Sequence, residues 1–478
     1  MAQKITIEPV TRIEGHAKVT IHLDDAGRVA DARMHVVEFR GFEKFSEGRH
    51  FSEMPTLTER ICGICPVSHH LASAKAIDDI VGVRPPRPAR LLRELMHMGQ
   101  LVQSHALSFF HLSSPDLLLG FDSDPMTRNV FGVIAAAPEA AKKGIFLRKY
   151  GQEAIAAVGG RKVHPDCCVA GGQSRTLEPK HREWLLANLK AAYEAAETGI
   201  AVLKGWMDKN PELLKTFAAF DSNYSGLVTA KGGLEHYDGF IRMVGPNGEK
   251  LEDMVDSHDY LSIIGEATED WSYLKFPFYR PQGYPEGSYR VGPLARLNII
   301  DDIDTPRARA EWRNFKGINN GKPVTGSMYY HYARLIEILF GLERMEQILN
   351  DPEVLSEDIY EPSSVIRPQG VGVAEAPRGT LFHHYWVDEV GRIEKVNLII
   401  ATGQNNNAMN RGVREVAKQY VKGEKIQEGM LNRVEAAIRC YDPCLSCSTH
   451  AVGRMPMVIS LVSSEGRVID QVIRSDKA

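Results

Sequence analysis

Two short stretches at opposite ends of the chain decide how it folds: Arg60-Ile-Cys62-Gly-Ile-Cys65-Pro-Val-Ser-His69-His70 and Asp442-Pro-Cys444-Leu-Ser-Cys447-Ser-Thr-His450. Each stretch contains a CxxC pair, in which two intervening residues allow a tight turn to aim both sulfurs at one ion. Together the pairs supply four thiolates, a set of donors that favours soft or borderline metals. A site built from both pairs would join the two ends of one large core.

The spacing of the cysteines leaves several kinds of site open. Structural zinc is the commonest four-cysteine site, but zinc ribbons usually bring their pairs within about 15–20 residues of each other. A plain Fe–S cluster on four thiolates would indicate simple electron transfer. A thioredoxin-like dithiol would explain one CxxC pair but not two, and no βαβ pattern surrounds either pair. The residues around the pairs are needed to choose between these sites.

The bulk composition is that of an ordinary globular protein, with 478 residues of which 43% are apolar and 25% are charged. That length suits one large domain with insertions, or two or three smaller ones. The net charge is −4 without a block of like charges, so neither nucleic acid nor an anionic membrane is an expected partner. No apolar run approaches the roughly 18–20 residues of a membrane span. Because residues 1–8 also lack a secretory signal, we expect a cytoplasmic chain without a disulfide framework.

The hydrophobic patterns predict an α+β fold, with long central helices and small peripheral β-sheets. Residues 1–40 alternate in the manner of a β-meander. Helical spacing predicts long helices that begin near residue 68, after the prolines at 85–88, near residue 182 and near residue 329. We expect a peripheral β-containing insertion over 221–260 and hairpins over 385–402 and after residue 450. No dinucleotide glycine fingerprint follows a strand, so NAD is not expected to bind this chain.

The residues around the cysteine pairs resemble the two signature segments of nickel–iron hydrogenase large subunits, RxCGxCxxxH and DPCxxCxxH. Three further segments are similar to segments of that family: Pro9-Val-Thr-Arg12-Ile-Glu14-Gly-His16, Phe39-Arg40-Gly41-Phe42-Glu43 and Glu375-Ala-Pro377-Arg378-Gly379. All five occur in the family's order. The segments 104–115 and 271–277 resemble the soluble NAD-reducing group most, although methanogen enzymes that do not reduce the deazaflavin cofactor share much of the N-terminal half.

The resemblance implies a Ni–Fe(CN)2(CO) centre that cleaves H2 reversibly and heterolytically. The nickel ligands would be Cys62, Cys65, Cys444 and Cys447. Of these, Cys65 and Cys447 would also bridge to the iron that carries carbon monoxide and cyanide. Around the iron, the resemblance implies that Arg378 hydrogen-bonds one cyanide, that Thr402 lies near the other and that Pro377 lines the pocket. A magnesium ion would be held by Glu43, His450 and the backbone of Ile400.

Several of the implied residues would move protons or orient others. Cys444, as a terminal thiolate, could accept a proton, and Glu14 could relay it, because a carboxylate can cycle its proton without a permanent change of charge. Without the resemblance, Glu14 could equally be a surface carboxylate or a partner of Arg12. His69 lies one helical turn past Cys65 and could donate to its sulfur. Asp442 could orient Arg378 or cap the following turn.

One position departs from the pattern of many membrane-bound relatives. Those relatives place an aspartate before the histidine of the long second helix, where this chain has Ser104. Any proton-transfer or arginine-orienting role of that aspartate is therefore not carried over to this chain.

Electrons leaving the centre would need partner proteins. Three cysteines remain besides the four ligands, Cys167, Cys168 and Cys440, too few for a cluster held by four thiolates. The resemblance therefore implies a small subunit with Fe–S clusters and, in the NAD-reducing group, diaphorase subunits with flavin and Fe–S clusters. The net reaction would be H2 + NAD+ giving NADH and a proton. It also implies a maturation protease that cuts between His450 and Ala451, leaving residues 1–450 as a single domain without the extension 451–478.

Three other functions remain open at this point. An H2 sensor could be built on the same site. A metal-free structural subunit, similar to the quinone-binding relative in respiratory complex I, would lack the cysteine pairs that this chain has. A zinc-stabilised structural or interaction subunit would use the four cysteines without redox chemistry.

Overall fold

The computed structural model describes residues 4–422, 426–450, 457–463 and 468–474. Its helices are α1 Phe42–Ser46, α2 Met54–Thr58, α3 Pro66–Ile80, α4 Arg87–Leu107, α5 Val130–Ala136, α6 Pro138–Gly159, α7 Pro179–Lys209, α8 Pro211–Thr216, α9 Tyr260–Ile263, α10 Pro293–Ile299, α11 Pro306–Gly317, α12 Tyr329–Asn350, α13 Ala401–Gln404, α14 Asn406–Tyr420, α15 Glu428–Tyr441 and α16 Leu445–Ser448. Its strands are β1 Lys4–Ile7, β2 Ala17–Leu23, β3 Val29–Val36, β4 Cys168–Val169, β5 Gly172–Gln173, β6 Asn223–Val228, β7 Phe240–Val244, β8 Lys250–Val255, β9 Ile264–Ala267, β10 Phe276–Tyr279, β11 Tyr289–Arg290, β12 Gln369–Ala376, β13 Gly379–Val387, β14 Ile393–Ile399, β15 Met457–Val462 and β16 Val468–Arg474.

The centre of the molecule is a bundle of four long helices, α4, α6, α7 and α12, each packed against its neighbours. An apolar stripe of α12 at helical spacing is fully buried in this bundle, and it comprises Leu335, Ile338, Leu342, Met345 and Leu349. Burial of such a stripe is what fixes an amphipathic helix in place. The prediction of an α+β fold with long central helices is confirmed.

Two three-stranded antiparallel sheets flank the helices. The N-terminal sheet has the order β1-β2-β3, as expected of a meander, and the second has the order β12-β13-β14. Helix α3 lies directly on β12, where a Cβ on Gly372 would stand 1.9 Å from the carbonyl oxygen of Ala72. Glycine is therefore required at this point of close approach. The contact matters for the site because α3 begins immediately after Cys65.

The segment 221–260 is less peripheral than its composition predicts. Strand β6 is buried along its whole length, in a sheet of order β11-β6-β7-β8, and β8 is its more exposed strand. Apolar side chains of β6 and β7 share a core with Val373 and Phe382 of the second three-stranded sheet. The apolar residues Leu227 and Ile241 thus face the interior, which the glycine-rich and polar composition of the segment concealed.

The C-terminal strands β15 and β16 pair in antiparallel fashion, as the predicted hairpin requires. Residues 464–467 between these two strands and the predicted cleavage point at Ala451 lie outside the described residues. Across the described part of the chain, every helix falls short of the length or the hydropathy that a bilayer crossing needs.

A buried carboxylate ties the N-terminal segment to the C-terminal helix. Asp116 lies just beyond α4 and accepts from Arg12 Nη2 at 2.5 Å and from Arg439 Nε at 2.9 Å. Burial alone would raise the pKa of Asp116, but the two guanidinium groups hold it below its usual value. This contact brings the segment that carries Glu14 against the end of α15, immediately before the second CxxC pair.

Candidate metal centre

The two CxxC pairs meet in the interior, as predicted. The four Sγ atoms of Cys62, Cys65, Cys444 and Cys447 all lie within 4.8 Å of one another. Across the pairs, Cys62 Sγ lies 3.1 Å from Cys444 Sγ, and Cys65 Sγ lies 3.4 Å from Cys447 Sγ. All four are free thiols with at most 5% of their surface exposed. The arrangement offers four sulfur donors to a common centre.

Local backbone structure aims these sulfurs at each other. Cys65 is the N-cap residue of α3, and the backbone N–H groups of Ile64 and Cys65 donate to Cys62 Sγ at 3.2 and 3.3 Å. Cys444 caps α16, and Cys447 lies within that short helix. Backbone donors and helix N-termini favour a thiolate, but burial raises the pKa of Cys444 and of Cys447 well above its usual value. Hydrogen bonds from the neighbouring thiols, first of all Cys444, hold the pKa of Cys62 well below its usual value.

The N-terminal segment packs against the second pair through Glu14. Its backbone bridges to Cys444, its carbonyl accepts from Leu445 N at 3.1 Å, and its carboxylate Oε2 accepts from Ser446 N at 3.1 Å. Gly15 allows this approach, because its φ is +82° and a Cβ there would stand 2.7 Å from Leu445 Cβ. Arg12 pairs with Asp116, so its guanidinium has a partner other than Glu14. Glu14 is half-buried, and its backbone adjoins Cys444.

A small cavity adjoins the second cysteine of each pair. Its walls are formed by Cys65, His69, Ala376, Arg378, Leu381, Ile400, Ala401, Thr402, Cys444 and Cys447. Cys65 and Cys447, which the resemblance assigns as bridging ligands, thus both face this space. The mixture of apolar walls with a guanidinium and a hydroxyl suits a small group that carries a few hydrogen-bond acceptors.

Arg378 is held at the cavity by two neighbours. Its Nε donates to the carbonyl of Asp442 at 2.5 Å and its Nη1 donates to Ser104 Oγ at 3.2 Å. Its Nη2 lies 2.9 Å from Asp442 Oδ2 as an ion pair, without a well-directed hydrogen bond. Asp442 therefore orients Arg378, as predicted. The buried Nη2 keeps a donor available to a group in the cavity.

The other predicted wall residues differ in their contacts. Thr402 Oγ1 accepts from Cys444 N at 2.9 Å, which leaves the hydroxyl proton of Thr402 free to donate toward the cavity. His69 lines the cavity, but its Nδ1 lies 3.1 Å from His383 Nε2, and burial lowers its pKa to about 4. Pro377 lies between two wall residues, and its carbonyl accepts from Arg296. At this point the cavity is therefore lined by Ala376 and Arg378, the neighbours of the predicted Pro377.

Glu43 and His450 lie close together near the second CxxC pair, and neither residue lines the cavity described above. Backbone hydrogen bonds join the two segments that carry them; for example, Glu43 N donates to the His450 carbonyl oxygen at 3.1 Å. His450 Nε2 is buried and lies 3.6 Å from Glu43 Oε1, and no residue of the described ranges makes a well-directed hydrogen bond to it. Burial lowers the pKa of His450 to about 4, so its imidazole is neutral at neutral pH. A neutral imidazole nitrogen beside a carboxylate oxygen is a suitable pair of metal ligands.

The backbone near this pair comes from Leu398, whereas the sequence predicted Ile400. Leu398 N donates to Glu43 Oε1 at 2.8 Å, and its backbone also meets His450. The carbonyl of Ile400 instead accepts from Gln404 N, at the start of α13, and Ile400 faces the cavity. The backbone contact to Glu43 thus comes from a residue two positions before the predicted Ile400.

Sequence reasoning missed a buried ionic cluster below Arg378. Arg296 donates to both oxygens of Glu337 at 2.6 Å, to Glu375 at 2.7 Å, and to the carbonyls of Ala376 and Pro377. All three charged side chains are fully buried. No local pattern in the sequence links the three residues, because Arg296, Glu337 and Glu375 lie on different elements.

Comparisons with known proteins place the chain among close relatives. The family model described as nickel-dependent hydrogenase matches residues 40–119 and 249–450, and the model described as HoxL-like matches residues 4–39. The beta subunit of the NAD-reducing hydrogenase HoxS of Cupriavidus necator is 42% identical, over 99% of this chain and 100% of that protein. One subunit of the deazaflavin-non-reducing hydrogenase vhc of Methanococcus voltae is 43% identical, over 97% of this chain and 98% of that protein.

A solved structure agrees with the sequence comparisons. The crystal structure of an NAD+-reducing nickel–iron hydrogenase in the H2-reduced state is 44% identical to this chain and superposes with a TM-score of 0.92, over 94% of this chain and 99% of that one. The alternative of a metal-free structural subunit has no support in these matches. With four buried thiols converging as the family requires, the chain belongs to the nickel-dependent hydrogenases.

Proposed function

We propose that this chain is the catalytic subunit of a hydrogenase that cleaves H2 reversibly at a Ni–Fe(CN)2(CO) centre and delivers the electrons, through partner subunits, to NAD+. The observation that carries the proposal is the meeting of four buried sulfurs beside a cavity that Arg378 enters. The donor set fits, because thiolates suit nickel and iron and the cavity lies against Cys65 and Cys447. Arg378 Nη2 and the Thr402 hydroxyl would be the donors available to the cyanide nitrogens of such a centre.

The chain's own residues would handle the proton. A nickel–iron pair bound here would supply the Lewis acid that polarises H2. Cys444 Sγ would accept the proton that results, and Glu14 would carry it outward, because its backbone adjoins Cys444 and its side chain is half-buried. The apolar wall formed by Ala376 and Leu381 would keep water from the reacting atoms.

Metal analysis with infrared spectroscopy tests the centre itself. We expect nickel and iron in equal amounts in the purified holoenzyme, together with CO and CN stretching bands. Zinc as the sole metal on the four cysteines would refute the proposal in favour of a structural role.

The proton route has its own test in Glu14→Gln, which keeps the shape and loses the acid. We expect turnover to fall by about 10²–10⁴-fold, the usual contribution of a positioned acid–base group. Conversion of para-H2 to ortho-H2 should persist, because splitting at the centre does not need exchange with solvent, whereas D2/H+ exchange should fall with turnover. Glu435→Gln is the matched control, since Glu435 also contacts the N-terminal segment, through Thr11. Equal losses in both variants would contradict the role of Glu14.

We also propose that the Fe–S small subunit docks over Gly63. Gly63 is the exposed residue between Cys62 and Cys65, and the cleft beside it is lined by polar side chains, among them Gln100, Arg148 and Lys162. Electrons leaving the centre by the shortest route would cross the surface here. A Cβ on Gly63 would meet nothing within 4 Å, so Gly63→Leu should fold yet obstruct the partner. Gly205→Leu, at an equally open glycine on α7, should leave copurification of the small subunit unchanged.

The electron acceptor and the location remain part of the proposal. Relatives that reduce NAD+ and relatives that do not reduce the deazaflavin are similarly close, at 42% and 43% identity. We propose the NAD-reducing type, with diaphorase subunits carrying flavin and Fe–S clusters, in the cytoplasm. H2-dependent NADH formation by the purified complex would support it; activity with a ferredoxin or a heterodisulfide acceptor and none with NAD+ would favour the methanogen type. An H2 sensor would give infrared bands of the centre with very low turnover.

A magnesium site and a processing step complete the proposal. Glu43, His450 and the Leu398 backbone would hold Mg²⁺, because Glu43 Oε1 lies 3.6 Å from His450 Nε2 and the Leu398 backbone meets both side chains. We also propose that a maturation protease removes 451–478 by cutting after His450, leaving 1–450 as the single mature domain. The exposed Leu461 and Val468 in the terminal hairpin agree with a segment that the core does not need. Mass spectrometry of active enzyme with an intact C-terminus would count against the cleavage.

A further inference from the structure

Arg334, on α12, is a buried cation without a counter-ion in contact. Among the arginines that the structure describes, six are fully buried, and four of these form an ion pair with a carboxylate: Arg93, Arg242, Arg296 and Arg439. The other two, Arg290 and Arg334, have no carboxylate oxygen of the described ranges within 4.0 Å of their nitrogens. A buried charge without a partner costs far more free energy than a paired one. A negative charge from outside the chain would offset that cost.

The groups that bind Arg334 are all neutral. Its Nη2 donates to the carbonyl oxygen of Cys440 at 2.5 Å, and its Nη1 donates to His331 Nδ1 at 3.2 Å. Burial lowers the pKa of His331 to about 3, so the imidazole accepts this hydrogen bond as a neutral group. The guanidinium carbon lies 5.7 Å from the ring centroid of Tyr330, and Nε has no hydrogen-bond partner among the described residues. These contacts hold the cation in place without neutralising it.

The charged groups that act most on Arg334 belong to the wall of the proposed centre. Burial lowers the pKa of Arg334, the carboxylate of Asp442 opposes this effect, and Arg378 adds to it. Asp442 is already ion-paired with Arg378 at 2.9 Å. Cys440, whose carbonyl holds Arg334, lies shortly before Cys444 in the chain. Arg378, Asp442 and Arg334 together therefore carry a surplus of positive charge near the second cysteine pair, whether or not Asp442 is ionised.

The other buried acids of this region are bound to a different arginine. Glu337, further along α12, accepts from Arg296 through both of its oxygens at 2.6 Å, and Glu375 accepts from Arg296 at 2.7 Å. His105 lies 2.8 Å from Glu337, and burial lowers its pKa to about 3, so it adds no charge at neutral pH. Neither glutamate makes an ion pair with Arg334.

We propose that Arg334 supplies counter-charge to the loaded metal centre and thereby makes that centre easier to reduce. This role presupposes the proposed Ni–Fe(CN)2(CO) centre. With both metals divalent, four thiolates and two cyanides bring six negative charges against four positive ones, so such a centre is a buried anion. A positive charge nearby stabilises a buried anion strongly, because the interior screens charges weakly, and it stabilises an added electron further. Arg334 would act through its electric field and would not be a catalytic residue.

Infrared spectroscopy and redox titration of the holoenzyme test this role in Arg334→Met and Arg334→Lys. Methionine keeps a long apolar side chain and removes the charge, whereas lysine keeps the charge. Without the charge, more electron density remains on the iron. We therefore expect the CO and CN stretching bands of Arg334→Met to move to lower wavenumbers and the midpoint potential of the centre to become more negative. Arg334→Lys should return both quantities most of the way to the wild-type values, which a purely structural role of the guanidinium would not produce.

Arg290→Met is the matched control. Arg290 is also fully buried without an ion pair; it donates to the Thr325 carbonyl at 2.7 Å, and its guanidinium carbon lies 3.9 Å from the ring centroid of Phe220. Besides burial, the groups that act most on its pKa are tyrosines and Cys440, with no carboxylate among them. Its bands should move less than those of Arg334→Met. Equal shifts in the two variants would contradict the role of Arg334.

Cys440→Asp tests the same role while Arg334 stays in place. The Cys440 side chain acts on the pKa of Arg334, so a carboxylate at this position would give Arg334 a partner of its own. The bands should again move to lower wavenumbers, and Cys440→Asn, of equal size without the charge, should leave them unchanged. This pair decides the matter if Arg334→Met does not assemble the centre. Wild-type enzyme without CO and CN bands would refute the proposed centre itself, whereas wild-type bands that neither Arg334→Met nor Cys440→Asp shifts would refute only the role of Arg334.

Discussion

Ser104 Oγ accepts a hydrogen bond from Arg378 Nη1 across 3.2 Å in the interior of the protein. The same guanidinium meets Asp442 through Nε and Nη2. Arg378 is therefore oriented by one neutral neighbour and one charged neighbour. Burial raises the pKa of Asp442, while Arg378 and Arg334 oppose that rise. The hydroxyl of Ser104 thus contributes to the orientation of Arg378 without adding a second buried charge.

Ser104→Ala should lower H2-dependent turnover by about tenfold. A hydrogen bond to a charged group contributes roughly 1.5–3 kcal/mol, and about 1.4 kcal/mol corresponds to a factor of ten. Nickel and iron content should be unchanged, because Ser104 touches no cysteine sulfur of the centre. Ser113→Ala is the control, since Ser113 is buried and its hydroxyl has no hydrogen-bond partner in the described chain. Equal turnover in the two variants would mean that Ser104 does not position Arg378.

Glu43→Gln should remove the proposed magnesium ion, because an amide oxygen is a weaker ligand for Mg²⁺ than a carboxylate. We expect elemental analysis of the holoenzyme to find one Mg²⁺ in the wild type and little in the variant. Glu47→Gln is the matched control, since Glu47 lines the same surface cleft and pairs with Lys44. Undiminished Mg²⁺ in Glu43→Gln would show that the ion, if present, lies elsewhere.

Glu337→Gln should destabilise the protein strongly. It leaves Arg296 with one of its two carboxylate partners in a fully buried site, and removing one partner of a buried pair costs about 3–5 kcal/mol. Thermal inactivation of the holoenzyme should shift down by several degrees. Arg296 also holds the carbonyls that precede Arg378, so turnover should fall too.

The control for this cluster is Glu197→Gln, at a half-exposed ion pair with Arg307. An exposed pair contributes at most about 1 kcal/mol, so the inactivation temperature should hardly change. Similar shifts of the inactivation temperature in both variants would show that burial is not the reason why the Arg296 cluster stabilises the protein.

Stability should fall as the pH decreases below about 6.5, because of three buried histidines. Burial lowers the pKa of His97, His105 and His331 to about 3. In the unfolded chain the pKa of histidine is about 6.5, so between these values the unfolded state binds more protons than the folded state. Lower pH therefore favours unfolding across that window.

The histidine effect can be isolated with His97→Gln, which removes one titrating group while an amide can still donate to the His236 carbonyl. The melting temperature should fall less between pH 7 and pH 5 in this variant than in the wild type. His16→Gln, at an exposed position, should show the same fall of the melting temperature between pH 7 and pH 5 as the wild type. An unchanged slope in His97→Gln would contradict the assignment.

The sequence by itself determined the four sulfur donors, the family and four of the helices, α3, α4, α7 and α12. Those features depend on local patterns: a CxxC turn presents two sulfurs together, and an apolar stripe such as that of α12 defines a helix wherever it is buried. The helix predicted to begin near residue 329 runs from Tyr329 to Asn350. The residues that flank the cysteines then separated a hydrogenase from a zinc site.

The tertiary structure alone decided how the remaining residues meet. The pairing of Arg12 with Asp116, of Arg296 with Glu337 and Glu375, and of His70 with Cys167 and Cys168 joins residues on separate elements. The choice of Leu398 over Ile400 depended on where β14 ends and α13 begins. Such contacts follow from the packing of whole helices and sheets, which a local pattern of residue types does not specify, because many distant side chains together set the distance between any two of them.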